Sequence, residues 1–288
     1  MPRPDTSSQR KGSYPIEAEN AAEMGRLSRQ SRIATQVLGG HVPHTLDLSQ
    51  FHHVLDVACG PGTWALDVAQ DYPQTQVTGF DISRLMVDYA NSIAAIEEQH
   101  NAHFRVMDAT QPLDFSDNAF DLVHIRFVSG FMPASKWPML LLECRRVLCP
   151  GGVLVMTESE LPISTSQTLE YLHRIMAQAF HLAGQGFSPD GRHLGITPMM
   201  GRLIRDANFQ QIHHIGYAND LSIGTDLHRD YFYPNQVTVF RLVQPFLVQA
   251  GVIKQQEIER LYEQMLEEIQ DDDFRAISYV VTVWGKKG

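Results

Sequence analysis

Cysteine is scarce in this 288-residue chain: Cys59, Cys144 and Cys149 are the only three, and no two form a CxxC pair. That excludes a disulfide framework and a thiolate zinc cluster. The thirteen histidines do not take over a metal role, because His52-His53 and His213-His214 are adjacent pairs and no HExxH occurs; no metal is expected. Positive charge is also short, with 23 Lys and Arg against 33 Asp and Glu and a net charge of −10. A chain without a broad basic field is a poor partner for nucleic acid. No run of about 18 apolar residues is present, so no membrane span is expected. The amino-terminal stretch MPRPDTSSQRKGSYP is polar and lacks the apolar centre of an export signal. These absences together imply a cytoplasmic, reduced protein.

What the chain does have is core. Apolar residues make up 43% and charged residues 19%, which suits a globular enzyme built as one α/β unit with helical additions. Residues 1–12 are expected to be a disordered tail. Residues 13–45 then form a helical segment, with Glu17 to Leu38 as a helix stopped by Gly39-Gly40. Residues 46–160 alternate short apolar runs with amphipathic stretches. HVLDVA, QVTGF, HFRVMD, FDLVHIRF and VLVMTES read as strands; Trp64–Gln70, a stretch capped by Ser83, and Trp137–Leu148 read as helices. That rhythm predicts a doubly wound parallel sheet with ligands at the carboxyl ends of its strands. In residues 161–288, Ser166–Leu182, Pro198–Ala207, Tyr231–Gln249 and KQQEIERLYEQMLEEIQ look helical, whereas Phe209–Tyr217 and AISYVVTVWG look extended.

The chemistry concentrates at the turn after the first strand, Asp56-Val57-Ala58-Cys59-Gly60-Pro61-Gly62-Thr63. Gly60 and Gly62 permit a sharp bend and a close backbone approach to a ligand. Asp81 ends the second strand, where a carboxylate can accept both hydroxyls of a ribose. Taken alone, this also fits the G-x-G-x-x-A fingerprint of a nicotinamide-dependent oxidoreductase. Three features favour a different cofactor: Asp56 places a charge inside the strand-to-loop junction, Asp108-Ala109 adds a second acid at the end of the third strand, and the carboxy-terminal pattern suits a hairpin added to the sheet. The oxidoreductase alternative also lacks a Tyr-x-x-x-Lys pair.

The series VLDVACGPGT, GFDIS, VMDATQPLDFSDNAFDLV and ECRRVLCPGGVLVMTE resembles, in order, the motifs of class I S-adenosylmethionine-dependent methyltransferases over roughly residues 50–160. The resemblance implies a Rossmann-like seven-stranded sheet of order 3-2-1-4-5-7-6 with only the last strand antiparallel, and helical lid elements at both ends of the chain. It implies that S-adenosylmethionine lies along Ala58, Gly60 and Gly62, with Asp56 bracing the loop. Asp81 would hold the ribose, Ile82 and Met86 would pack on the adenine, Asp108 and Ala109 would meet its edge, and Arg126 would border cofactor and acceptor. The amino-terminal segment resembles small-molecule methyltransferases of secondary metabolism, which implies a lid formed by Tyr14 and by the helix carrying Arg26, Leu27 and Gln30.

The acceptor is expected to be a small, largely apolar or aromatic molecule, because Tyr171, Phe180, Phe187, Tyr231, Phe232, Tyr233 and Phe240 crowd the segment after the core. His124, Glu158 and His193 are the candidate proton acceptors, with Glu160, Phe187 and Arg192 near them in sequence or at strand ends. Whether nitrogen, oxygen or carbon receives the methyl stays open. A dimer is expected, with the amino-terminal helix packing across protomers. A cofactor-binding protein without catalysis is the further alternative.

Overall fold

The structure, a computed structural model, describes Ile16 and residues 20–288. The expected tail over residues 1–12, Tyr14 and Glu17 lie outside the described residues. The first helix, α1 (Ala21–Val37), starts where the Asn20 side chain accepts the amide protons of Ala22 and Glu23. The core then follows as β1 (His53–Val57), α2 (Thr63–Asp71), β2 (Gln76–Asp81), α3 (Arg84–Ile96), β3 (Ala102–Val106), β4 (Phe120–Arg126), α4 (Trp137–Val147) and β5 (Leu148–Ser159). Ser83 caps α3, as its sequence position predicts, by accepting from the Met86 amide.

The second half runs β6 (Ile163–Ser164), α5 (Gln167–Leu182), α6 (Met200–Asp206), β7 (Phe209–Asp220), α7 (Tyr233–Leu242), α8 (Gln244–Gln249), α9 (Gln255–Glu268) and β8 (Ala276–Lys287). β1 and β4 are buried along nearly their whole length because helices cover both faces of a parallel sheet. The path is β3-β2-β1-β4-β5-β8, with β7 on the outer edge of β8. β8 is antiparallel to both its neighbours. This is the expected order, with one addition. The expected seven strands become eight because β6 pairs with the same edge of β8 as β5 does, Ile163 against Ile277 and Ser159 against Val280. The interruption falls at Glu160-Leu161-Pro162. A proline has no amide proton to give a ladder and so breaks the strand, and the three freed residues line a cavity.

The single helix read over Tyr231–Gln249 is divided. A π-helical turn at His228–Phe232 leads into α7, and α7 gives way to α8 at Val243. Pro234 and Pro245 each fall in a first turn. There a missing N–H costs nothing, whereas a continuous helix would lose a bond at Pro245.

α1 packs within its own chain: Arg26 donates to Asn235 at 3.0 Å, and Arg126 of β4 donates to Ser31 at 2.6 Å. Among the described residues, no helix is long and apolar enough to cross a membrane.

Candidate active site

The loop from β1 to α2 turns through three left-handed residues, Ala58, Gly60 and Gly62, at φ 53°, 55° and 75°. An alanine in that region is uncommon and carries strain. The Cys59 amide donating to the Phe80 carbonyl, 2.9 Å, ties the loop to β2. Asp81 holds the other side: one carboxylate oxygen accepts the Gly60 amide and the other accepts the Ser83 amide, each at 2.9 Å. Burial raises the Asp81 carboxyl above its ordinary range, partly offset by these amides. Each oxygen keeps a lone pair for a further donor, which suits a vicinal diol.

The two glycines have different work. A Cβ on Gly60 would meet only Leu27 Cδ1 of α1, at 3.7 Å, and Gly60 lines the cavity. A Cβ on Gly62 would stand 2.7 Å from both Ala90 Cβ and Phe104. Gly62 is thus placed against α3 and β3 and is not among the cavity-lining residues, although the resemblance set it beside the cofactor.

The cavity beyond this loop has a volume of about 150 Å³. Ala58, Asp108, Ala109 and Met86 line it, with Ile82 half-exposed at its rim. One Asp108 oxygen accepts the amide (2.8 Å) and hydroxyl (2.7 Å) of Thr110, which fixes the carboxylate at the cavity wall. Asp56 and His124 meet on the other side, with Nδ1 2.8 Å from the carboxylate and both residues buried. The imidazole lies parallel to the Trp64 indole, centroids 3.7 Å apart, and burial pushes its pKa down.

Arg126 closes this wall. Its guanidinium donates to Ser31 and, at 3.3 Å, to Thr35, and burial lowers its pKa to about 10. It remains a cation at neutral pH, held by two hydroxyls and lining the cavity. Three carboxylates and one half-buried guanidinium match a molecule that carries a diol, two cationic centres and one carboxylate. Such a molecule is S-adenosylmethionine, and the donor set fits it.

A second cavity, about 210 Å³, adjoins the first through the shared residues Gln30 and Phe127. It lies over the ends of β5, β7 and β8 and is roofed by α1, α5 and the π-helical turn. Met176, Leu221, Phe232 and Val239 supply its apolar wall. Tyr231 and Phe232, expected on the acceptor side, line it; Phe187 packs at the Trp137 side of the sheet core instead.

The polar wall of this cavity holds Arg26, Gln30, Asn235 and Glu160. Arg26 is paired with the fully buried Glu23 through contacts of 2.6 and 2.7 Å. Glu160 accepts the amides of Gly195 and Thr197 and so pins the loop before α6.

The three candidate proton acceptors are dispersed. His124 lines the first cavity. Glu158 is buried outside both cavity walls and accepts from the Val128 and Ser129 amides and the Ser129 hydroxyl, at 2.7, 3.2 and 2.8 Å. It holds the loop after β4, and burial raises its pKa to about 7. His193 is exposed, as is Arg192, and neither lines a cavity. His173 was not anticipated, yet it is buried and lines the second cavity. Its signal was available: it interrupts the apolar face of α5 four residues after Leu169 and three before Met176, where a core histidine is easily assumed.

Comparison with known proteins agrees with this geometry. Residues 54–152 match the methyltransferase domain family. That stretch, with its strand order and strand-end acids, is thus similar to the domain of class I S-adenosylmethionine-dependent methyltransferases. The methyltransferase pytC of Aspergillus terreus is 26% identical over 203 residues, 70% of this chain and 59% of that protein. A demethylmenaquinone methyltransferase of Staphylococcus epidermidis is 33% identical over 124 residues, 42% of this chain and 49% of the enzyme. The chain thus spans less than two-thirds of the length of either relative.

Among solved structures, Haemonchus contortus phosphoethanolamine N-methyltransferase 2 bound to S-adenosyl-L-methionine aligns with a TM-score of 0.50 at 19% identity, over 82% of this chain and 49% of that one. The [4+2]-cyclase SpnF aligns with the same score and identity over 96% of this chain and 98% of its own. Both show the fold alone. The oxidoreductase alternative finds no support, since the matched family and these sequence relatives are methyltransferases.

Proposed function

We propose that this chain transfers a methyl group from S-adenosylmethionine to a small, largely apolar or aromatic molecule seated in the second cavity. The observation that carries this reading is the adjacency of the two cavities across Gln30 and Phe127. One is acidic and built from strand ends; the other is apolar and roofed by helices. When bound, the cofactor supplies an electrophilic methyl on a sulfonium.

The chain supplies alignment and dryness. Asp81 and Asp108 fix the nucleoside, Arg126 meets the carboxylate, and Asp56 faces the cationic end. α1 forms part of the wall of both cavities, through Leu27 and Ser31 in one and Ile33 and Ala34 in the other. Holding two reactants in line supplies on the order of 7–11 kcal/mol of the barrier reduction. Glu158 acts through the loop it anchors, and His124 through Asp56. We place the reaction in the cytoplasm, consistent with three free cysteines.

Calorimetry with S-adenosylhomocysteine tests the first half. Asp81→Ala is expected to weaken binding by roughly ten- to a hundredfold, the worth of hydrogen bonds to a charged group. Single-turnover transfer of a labelled methyl across a panel of phenols, quinols and amines tests the second. Binding of NAD(P) in place of the thioether, or tight thioether binding with no transfer to any member, would defeat the reading. The second outcome has a precedent in kind, because a cyclase shares this fold.

A further inference from the structure

Arg26 of α1 sets the direction of a side chain on α7. Its guanidinium donates to Asn235 Oδ1 at 3.0 Å and to Gln30 Oε1 at 3.2 Å. The buried Glu23 carboxylate holds its other nitrogens at 2.7 and 2.6 Å. A guanidinium has only donors, so the Asn235 amide meets it oxygen first. The Nδ2 end is left over, with two N–H donors and no partner among the described residues.

The next residue, Gln236, repeats this condition at greater depth. It stands one turn before Phe240 on the inner face of α7, is 5% exposed and lines the second cavity. Neither of its amide atoms makes a hydrogen bond among the described residues. Six buried polar atoms of those residues are both unpartnered and closed to water, and none belongs to Asn235 or Gln236. The two carboxamides are therefore unpaired yet open, and both line the same cavity.

Buried polar groups in folded proteins are nearly always paired, so two adjacent exceptions in one cavity wall call for an occupant. The wall also selects its chemistry. Its charged side chains are already engaged, Arg26 with Glu23 and Glu160 with the Gly195 and Thr197 amides. Burial keeps His173 neutral, so no free charge waits for an ion. Asn235 offers donors alone, and Gln236 can turn its own N–H to match. The complement of two amide donors is one oxygen with two lone pairs, a carbonyl.

We propose that Asn235 and Gln236 are specificity-determining residues whose side-chain N–H groups hold the carbonyl oxygen of the methyl acceptor, so that the enzyme takes neutral, apolar ring systems bearing a ketone or lactone. The proposal rests on the methyltransferase reading only in calling the ligand a methyl acceptor; the preference belongs to the cavity. An analogue without that oxygen leaves both amides unpaired, and a site built around such groups discriminates against it.

The probes are 2-acetylnaphthalene and 2-isopropenylnaphthalene, a matched pair in which C=O becomes C=CH₂. Their dissociation constants are measured on the full chain with S-adenosylhomocysteine present and absent. Asn235→Asp keeps an oxygen for Arg26 and replaces the N–H end by a second acceptor. Gln236→Met keeps the length of the side chain and removes the amide. Each substitution is expected to lower the wild-type preference for the ketone about tenfold.

A second readout needs no variant. The carbonyl stretch of bound 2-acetylnaphthalene, isolated by a ¹³C-edited infrared difference spectrum, should lie at lower frequency than in hexane. Equal affinity of the wild type for the two probes, a preference unchanged in both variants, a bound carbonyl at its hexane frequency, or exclusion of both probes overturns the proposal. Failure of S-adenosylhomocysteine to bind while the preference persists overturns the methyltransferase reading instead, so the two failures are separate.

Discussion

His124 and Asp56 occupy paired register positions on β4 and β1, and their side chains meet at 2.8 Å on the cavity side of the sheet. The pairing is a consequence of parallel register: residues level on adjacent strands point to the same face. Because burial disfavours the imidazolium, the ring donates from Nδ1 as a neutral group and fixes the Asp56 carboxylate at the wall of the first cavity. The Trp64 ring fixes the plane of the imidazole.

His124→Phe retains the stacking but removes the donor, leaving a buried carboxylate short of a partner. We expect about a tenfold or greater loss of S-adenosylhomocysteine affinity, the worth of one charge-assisted bond. His124→Asn, which can place an amide N–H near Nδ1, should recover part of it. Equal losses in both variants, measured by calorimetry, would remove the donor from the account.

The two glycines of the loop predict opposite phenotypes. Gly62→Ala adds a methyl 2.7 Å from Ala90 and Phe104 at a left-handed φ. Strain and overpacking together should cost about 2–5 kcal/mol and lower Tm markedly. The folded fraction should still bind S-adenosylhomocysteine, because Gly62 faces away from the cavity. Gly60→Ala meets only a flexible leucine tip. Its thermal stability should change by about 1–2 kcal/mol, the backbone strain alone, while cofactor affinity falls. Thermal melts and titrations on the pair separate the two roles.

Glu158 predicts a pH dependence. Its pKa rises from an ordinary 4.5 to about 7, chiefly through burial, so the folded protein retains a proton that the unfolded chain has released. Below pH 4.5 both states are protonated and the folded state pays nothing. Between 4.5 and 7 the folded state binds more protons, so stability falls as pH rises, by up to about 3 kcal/mol, and levels off above 7. Glu158→Gln cannot titrate. The difference in unfolding free energy between wild type and Glu158→Gln should therefore shift against the wild type as pH is raised from 5 to about 7.5, and denaturant melts at several pH values measure it. A difference independent of pH would mean the carboxylate is ionised throughout.

The parallel sheet was legible because each strand is an almost unbroken apolar run, and the order of its strand-end acids pointed to the three carboxylates that line one cavity. Asp81, Asp108 and Asp56 are each set by one strand and one turn, so sequence locality suffices. The acceptor side is assembled from α1, α5, the π-helical turn and the broken end of β5, whose convergence depends on tertiary packing. That is why His173 read as an ordinary helical position. Glu158 read as a base because strand-end acids often are, but the loop it holds lies some thirty residues back in the chain, a partnership no local pattern announces. Pro162 announced the strand break, yet only the pairing of β6 with β8 shows that the strand resumes.

Arg126 grips α1 through Ser31 and Thr35, and that one helix forms part of both cavity walls through Gln30. The two chambers therefore share a party wall, and anything that shifts α1 against β4 reshapes both at once.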